Sequence, residues 1–227
     1  MIILVLNEFV VKLLLSNGHI VHGAVRDPKD EKYAQLNKLE RAFGNLKHFN
    51  ADLLDYDSLQ LAIEGCDGAI HVASPVASNT IHLQKVQVLE PAMKGTLNVL
   101  KACLEAKVKR VVHVSSVAAV LMSPKWPKDR VLDEICWSDK EYCRNKCNYL
   151  STTEAESAAF EYAKQTRLDV VSVCPGLIIG PVLQPPLNMR TMILLKVVKG
   201  TFIQGNFPGT EPHCARVFGT DFRLEPI

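Results

Sequence analysis

Two basic residues follow a predicted β-strand near the start of the chain. The stretch 19–25 ends in Val25, Arg26 comes next, and Lys32 follows six positions later. A guanidinium at this strand tip, in place of the acid that would hold a free ribose hydroxyl, suits a 2′-phosphate. The pair therefore favours NADP over NAD as a ligand. The alternative is that both side chains are solvated surface charges.

Two further strand ends carry residues that suit a dinucleotide. Asp52 and Leu53 follow the predicted strand 46–50, and Ala73 and Ser74 end the next one. In parallel nucleotide-binding sheets the ligand lies across the carboxyl ends of the strands, and small residues allow close approach to a ribose. The alternative is an ordinary strand-to-helix turn, because Asp and Ser also cap helices.

The turn that should hold the pyrophosphate has no glycine. The chain runs from Met1 through Ile2–Leu6 and Asn7 to Glu8, directly into an apolar helical segment. Glycines normally let the backbone wrap the pyrophosphate at a helix N-terminus, and a carboxylate at Glu8 would repel it. This turn is the main objection to cofactor binding.

The order of the predicted elements indicates an α/β fold with a doubly wound parallel sheet of Rossmann type. Short β-branched runs predict strands at 19–25, 46–50, 68–73, 110–115 and 168–174, with a further strand possible at 2–6. The valine-rich runs predict burial on both faces. Amphipathic stretches predict helices at 8–16, 29–42, 56–64, 82–106 and 151–165.

Two segments depart from this alternation. Residues 117–147 contain Pro124, Trp126 and Pro127, and this composition predicts a long surface connection. Prolines after Gly180 end the regular pattern. We therefore expect a cofactor-binding domain over 1–180, and a remnant of a substrate domain with an irregular tail over 181–227.

Composition limits the classes of partner. Lys and Arg total 26 against 24 Asp and Glu, with no basic block, so nucleic acid is not expected to bind. No apolar run approaches a membrane span, and no signal peptide is recognised. The seven cysteines lack paired spacing, which predicts reduced thiols, no metal site and a cytoplasmic location. We expect a monomer.

Seven motifs, in this order, resemble the plant cinnamoyl-CoA reductase and dihydroflavonol reductase group of extended short-chain dehydrogenases. They are Val25-Arg-Asp-Pro28, Ala51-Asp-Leu-Leu-Asp55, Gly65-Cys-Asp-Gly68, His71-Val-Ala-Ser-Pro-Val76, Glu90-Pro-Ala-Met-Lys-Gly-Thr-Leu-Asn-Val-Leu100, Val114-Ser-Ser-Val117 and Cys174-Pro-Gly-Leu-Ile-Ile-Gly-Pro181. The resemblance covers about residues 9–200. It implies NADPH and reduction of a carbonyl or CoA thioester of a phenylpropanoid-like or flavonoid-like small molecule.

The resemblance also implies site residues. The family serine after the fifth strand corresponds to Ser116, with Ser115 beside it, and Pro175 falls in a cofactor-binding motif. The family's proton-donating tyrosine corresponds either to Asn148, or, if two residues are deleted, to Tyr149. In both alignments Thr152 stands where the family has a lysine, which would lower the tyrosine pKa and hold the nicotinamide ribose.

The departures leave two functional hypotheses. The chain resembles a family member shortened at both ends, with no glycine turn and no lysine at position 152. It is either an NADPH-dependent reductase with weakened or lost cofactor binding, or a catalytically inactive relative that acts as a binding protein or arises from an aberrant gene. An epimerase of the same superfamily would need the same tyrosine and lysine.

Overall fold

Six parallel strands form a single sheet in the order β3-β2-β1-β4-β5-β6. A computed structural model describes residues 2–4, 8–73, 88–127, 131–146 and 150–176. The strands are β1 (Ile2–Leu4), β2 (Val21–Val25), β3 (Leu46–Asn50), β4 (Gly68–His71), β5 (Arg110–Val114) and β6 (Val170–Val173). The strand order reverses between β1 and β4, where a doubly wound sheet forms its ligand crevice. The predicted α/β Rossmann-type fold is confirmed.

Helices connect the strands. They are α1 (Glu8–Ser16), α2 (Ala42–Asn45, a single irregular turn), α3 (Tyr56–Ile63), α4 (Glu90–Glu105), α5 (Ala118–Leu121), α6 (Lys140–Lys146) and α7 (Leu150–Thr166). The Asp55 carboxylate caps α3 by accepting a hydrogen bond from the backbone nitrogen of Ser58. Gly18, with φ of 80°, reverses the chain after α1. None of the helices within the described ranges is long and apolar enough to cross a membrane.

The predicted helix at 29–42 is wrong. This segment forms two short 3-10 helices, Glu31–Tyr33 and Leu36–Lys38. Tyr33 and Leu36 are buried and Leu39 packs against the same core. A spacing of three residues places side chains on one face of a 3-10 turn, so these residues reach the core without a continuous α-helix.

Two hydrophobic clusters pack against the sheet. The larger one joins α3, α4 and α7 to β4 and β5, and includes Leu59, Ile63, Val99, Leu100 and Val111. The smaller one includes Val11, Leu15, Val21, Val25 and Leu36. The helices α1, α3, α4 and α7 contribute apolar side chains to these clusters, as a layered α/β domain requires.

Burial on both faces was predicted for the valine-rich strands, and it is wrong for β6. Val111 of β5 is fully buried, whereas Val171 and Val173 of β6 are 41% and 45% exposed. The reason is position: β5 lies between two strands, while β6 is the last strand of the described sheet.

The predicted surface connection at 117–147 is partly buried. Ser138 holds it to α5, because its hydroxyl donates to the carbonyl of Ala118 at 2.7 Å and accepts from the backbone nitrogen of Met122 at 2.9 Å. Ala119, Cys136 and Cys143 are almost completely buried. The described parts of this segment therefore form a packed wall. The predicted domain remnant at 181–227 lies outside the described residues.

Candidate functional site

The predicted cofactor and catalytic residues meet at one edge of the sheet. Arg26 follows β2, Asp52 follows β3, Ala73 follows β4, Ser116 follows β5 and Pro175 follows β6, each within two residues of the strand end. All strands are parallel, so their carboxyl ends lie at the same edge. Ser74 and Tyr149 lie outside the described residues.

Arg26 is exposed at the tip of β2. Within the described ranges its guanidinium has no ion pair or side-chain hydrogen bond. The neighbouring Asp27 accepts a hydrogen bond from the backbone nitrogen of Lys29 at 2.9 Å, which closes a tight turn. The backbone of Lys32 lies in the first 3-10 helix. The strand tip thus presents a guanidinium toward solvent, as capture of a 2′-phosphate requires.

The turn after β3 is fixed by its own side chains and by α4. Asp52 accepts from the backbone nitrogen of Leu54 at 2.8 Å. The carbonyl of Leu53 accepts from the Asn98 amide at 2.9 Å, and a Cβ added at Gly95 would lie 2.9 Å from the Leu53 Cβ. Gly95 is therefore required for α4 to approach this turn, and the pair Asp52–Leu53 is held rigidly beside the crevice.

The residues fit the adenosine side of a dinucleotide better than its pyrophosphate. On the adenosine side, Arg26 is exposed and the turn at Asp52 is preorganised. Between β1 and α1 lie only Val5, Leu6 and Asn7, and Glu8 begins the helix. A glycine-free turn gives the backbone no close approach to a pyrophosphate.

The two serines after β5 have different partners. The Ser115 hydroxyl donates to the Glu156 carboxylate at 2.5 Å. The Ser116 oxygen accepts from the backbone nitrogen of Ala118 at 3.2 Å, at the start of α5. A hydroxyl that accepts one hydrogen bond still has its proton to donate. Among the described residues, no contact uses the hydroxyl proton of Ser116, and its catalytic role stays a prediction.

Glu156 is a buried acid that sequence reasoning missed. It lies on α7, is 1% exposed, and also accepts hydrogen bonds from Ser172 and, at 3.5 Å, from the Cys174 thiol. Burial and the Glu156 carboxylate both raise the pKa of Cys174, burial more strongly. The sequence signal for a buried acid was that Glu156 lies beside Ala155 and near Ala159 on the predicted helix, where small apolar residues indicate a buried face.

No lysine occupies the predicted cation position on α7. Thr152 is half-buried in the first turns of the helix. On the preceding helix, the ammonium of Lys140 lies 2.7 Å from the Glu154 carboxylate and 3.1 Å from the Ser157 hydroxyl. Lys140 is thus already held by α7, one turn beyond Thr152.

A cavity of about 930 Å³ opens between α7, β6 and the segment after β5. Its apolar wall includes Leu121, Trp137 and Phe160, with the two aromatic rings edge to face at 5.7 Å. Its polar lining includes Glu156, Lys140 and Lys164. The volume and the mostly apolar lining suit a small organic molecule.

A pair of buried histidines lies beneath the same edge. His71 and His113 are register partners on β4 and β5, with ring centroids 5.2 Å apart. Burial lowers the pKa of His71 to about 3, with a smaller contribution from His113. Burial also lowers the pKa of His113, against an opposing effect of Glu156. Both rings are therefore neutral at physiological pH.

The cysteines supply no metal site in the part of the chain that is described. Five of them, Cys66, Cys103, Cys136, Cys143 and Cys174, are free thiols. Burial raises the pKa of Cys103 to about 12, which makes it an unreactive core residue. Over the same residues, no group of three or more His, Cys, Asp or Glu side chains is arranged to hold a metal ion.

Comparisons with known proteins agree with the geometry. The model of the NAD dependent epimerase/dehydratase family matches residues 8–200. Cinnamoyl-CoA reductase 2 of Medicago truncatula is 44% identical over 195 residues, which cover 85% of this chain and 56% of that protein. Cinnamoyl-CoA reductase 1 of Petunia hybrida is 44% identical, covering 86% and 57%. The chain thus spans a little over half the length of these relatives.

Solved structures point the same way. Vestitone reductase from alfalfa (Medicago sativa L.) is 34% identical with a TM-score of 0.72, covering 86% of this chain and 62% of that one. Yeast methylglyoxal/isovaleraldehyde reductase Gre2, solved with NADPH, is 26% identical with a TM-score of 0.64, covering 82% and 60%. The predicted resemblance is confirmed: the chain belongs to the NAD dependent epimerase/dehydratase family, among its cinnamoyl-CoA reductase-like members.

Proposed function

We propose that this chain is an NADPH-dependent reductase of a carbonyl or CoA thioester on a phenylpropanoid-type or flavonoid-type small molecule. The observation that carries the proposal is the shared sheet edge, on which the exposed Arg26 and the hydrogen-bonded Ser116 lie at opposite sides of the strand-order reversal. That edge is where doubly wound folds bind dinucleotides. The cinnamoyl-CoA reductase relatives supply the substrate class.

Each end of the edge has a distinct task. Arg26 would hold a 2′-phosphate, and the rigid turn at Asp52 and Leu53 and the small Ala73 would accommodate the adenosine. When bound, NADPH supplies the hydride for the reduction. Ser116 would donate its hydroxyl proton in a hydrogen bond to the substrate oxygen, which polarises the carbonyl and stabilises the negative charge that develops there.

Proton transfer to the substrate is the step for which this chain lacks a family residue. By resemblance, Tyr149 would donate the proton to the carbonyl oxygen. Thr152 provides no ammonium to lower the pKa of a neighbouring phenol, and Lys140 is held by Glu154. General acid catalysis contributes about 10²- to 10⁴-fold to rates. We therefore expect slow turnover compared with a relative that has the lysine.

A second candidate function is a catalytically inactive relative that binds small molecules or proteins. Two features of the sequence favour it: the absence of glycine from Val5, Leu6 and Asn7 between β1 and α1, and Thr152 at the lysine position. The first would weaken cofactor binding and the second would weaken proton transfer. The cavity beside Trp137 and Phe160 would still accept a ligand in such a protein.

Binding and turnover separate the two candidates. NADPH would be titrated by fluorescence against NADH, and NADPH oxidation would be followed with cinnamoyl-CoA for the wild-type chain and Ser116→Ala. A reductase should bind NADPH more tightly than NADH and lose turnover in Ser116→Ala with its NADPH affinity retained. Absence of NADPH binding would establish the inactive relative. Fast turnover at an ordinary enzymatic rate would show that the Thr152 alignment is wrong.

The monomeric state and the cytoplasmic location stay predictions. Light scattering on the purified chain tests the first. A fluorescent fusion in plant cells tests the second.

A further inference from the structure

The Glu156 carboxylate connects β5, β6 and α7 at the sheet edge where the carboxyl ends of the strands lie. It accepts from Ser115, which follows β5, from Ser172 in β6 and from the Cys174 thiol, while Glu156 itself lies on α7. Among the described residues no ammonium or guanidinium pairs with it. Two hydroxyls and a thiol are therefore its partners at 1% exposure.

Stability alone does not account for such a group. Burying a carboxylate carries a large desolvation penalty, which neutral donors offset less well than a cation, and apolar replacements of buried charges are often neutral or stabilising. The other buried residues of α7 include the apolar Ala155 and Ala159. The carboxylate instead accepts hydrogen bonds from serines of two adjacent strands, and an apolar side chain could not form these bonds.

The placement of Glu156 links the segment that carries Ser116 to the first turns of α7. Glu156 lies four residues after Thr152, so the two share one face of α7. Ser115, which donates a hydrogen bond to Glu156, directly precedes Ser116 in the chain. The backbone nitrogen of Ser115 donates to the carbonyl of Val173 at 2.9 Å. The contact between Ser115 and Glu156 therefore fixes the distance between the Ser116 segment and the first turns of α7.

We propose that Glu156 is a positioning residue: by holding the hydroxyls of Ser115 and Ser172, it sets the segment of Ser116 against the first turns of α7. The inference rests on the proposed reductase function. Ser115 is then a structural partner of Glu156, and Ser116 is the serine that faces the substrate.

Amide substitution tests the contact with little change in shape. In Glu156→Gln the NH₂ group cannot accept a hydrogen bond, so the hydroxyl of either Ser115 or Ser172 must rotate and accept from it, which reverses one of the two hydrogen bonds and moves its proton elsewhere. We expect kcat to fall about 10- to 100-fold, since small misplacements of reacting groups have effects of this size, with KM for NADPH changed less than about threefold. Glu161→Gln, on the same helix but exposed, is the matched control.

A double-mutant cycle identifies the partner. Ser115→Ala should lower kcat as Glu156→Gln does, and the double variant should be no slower than the slower single variant, because both substitutions disrupt the same contact. The kcat losses of Ser116→Ala and Glu156→Gln would add if the two residues acted independently. Because Glu156 acts through Ser116, we expect these losses to be non-additive as well. Additive losses of Glu156→Gln and Ser115→Ala would overturn the proposal.

A readout independent of turnover keeps the test decisive. In ¹⁵N NMR spectra, Glu156→Gln should shift the amide signals of Ser116 and Ala118, and Glu161→Gln should not. A wild-type chain that neither binds NADPH nor reduces substrate would defeat the proposed function, and the amide shifts would still decide whether Glu156 positions Ser116. Unchanged shifts, or equal kcat in Glu156→Gln and wild type, would overturn the inference.

Discussion

The two sides of the sheet edge formed by the carboxyl ends of the strands are held together by different kinds of hydrogen bond. On the β2–β3 side, carboxylates bond to backbone nitrogens two or three residues away: Asp27 to Lys29, Asp52 to Leu54 and Asp55 to Ser58. On the β5–β6 side, Glu156 bonds to residues 41 and 16 positions away. The first side consists of turns closed by local hydrogen bonds, with one long-range contact from Asn98 to the carbonyl of Leu53. The second is a buried network that exists only in the folded chain.

The largest expected effect is on the buried side, through pH. The pKa of His71 is about 3 in the folded chain and 6.5 is its ordinary value, so the unfolded chain takes up the proton first as pH falls. The free energy of unfolding should therefore decrease as pH falls below about 6.5 and continue to do so toward pH 3. The pKa difference corresponds to a loss of about 3 kcal/mol between pH 7 and pH 4.

Urea unfolding at pH 7, 5.5 and 4 measures this dependence. His71→Leu should flatten the curve, and substitution of the exposed His19 by Gln should leave it as in the wild type. His113 acts in the same direction, because burial also lowers its pKa. An unchanged pH dependence in His71→Leu would contradict the assignment of a neutral, buried ring.

The next effect concerns ligand binding on the exposed side. Arg26→Ala should weaken NADPH by about 1.5–3 kcal/mol, the range for a hydrogen bond to a charged group, and NADH by much less, because NADH has no 2′-phosphate. Isothermal titration with both cofactors measures the difference. Lys38→Ala, another exposed cation near β2, is the control. Equal losses for both cofactors would show that Arg26 is only a surface charge.

The junction between the two sides gives a third, smaller effect. A Cβ at position 95 would lie 2.9 Å from the Leu53 Cβ, an atom next to the backbone that cannot move easily. Gly95→Ala should destabilise the fold by about 1–2 kcal/mol, because overpacking outweighs the gain in helix propensity. Thermal unfolding measures the change. Stabilisation by about 1 kcal/mol, as propensity alone predicts, would show that α4 can move away from the turn.

The smallest effect is expected at an isolated cap on the exposed side. Asp55→Ala removes the side chain that caps α3 and should lower the free energy of unfolding by about 1 kcal/mol. Asp55→Asn should recover most of it, since an amide oxygen also accepts. Chemical denaturation compares the two. NADPH affinity should be the same in both variants, because the cap is local to its own helix.

The elements that could be predicted from the sequence are those specified by local pattern. The bounds of α1 and β3 agree with the predicted ranges 8–16 and 46–50, and the strand ends bring Arg26, Asp52 and Ser116 to one edge because the sheet is parallel. The segment at 29–42 could not be predicted correctly, because a three-residue apolar spacing suits both an α-helix and successive 3-10 turns. Burial of β6 could not be predicted either, because it depends on the strand's neighbours.

The sequence by itself determined the fold class, the family and the residues that follow each strand, because alternation of strands and helices and contiguous motifs are local properties of the chain. Only the tertiary structure decided which of the two serines donates its hydroxyl proton to a carboxylate of the protein. Ser115 and Ser116 are adjacent and chemically identical, but only Ser115 meets the carboxylate that α7 brings from 41 residues away. That choice depends on helix packing, which no local pattern specifies.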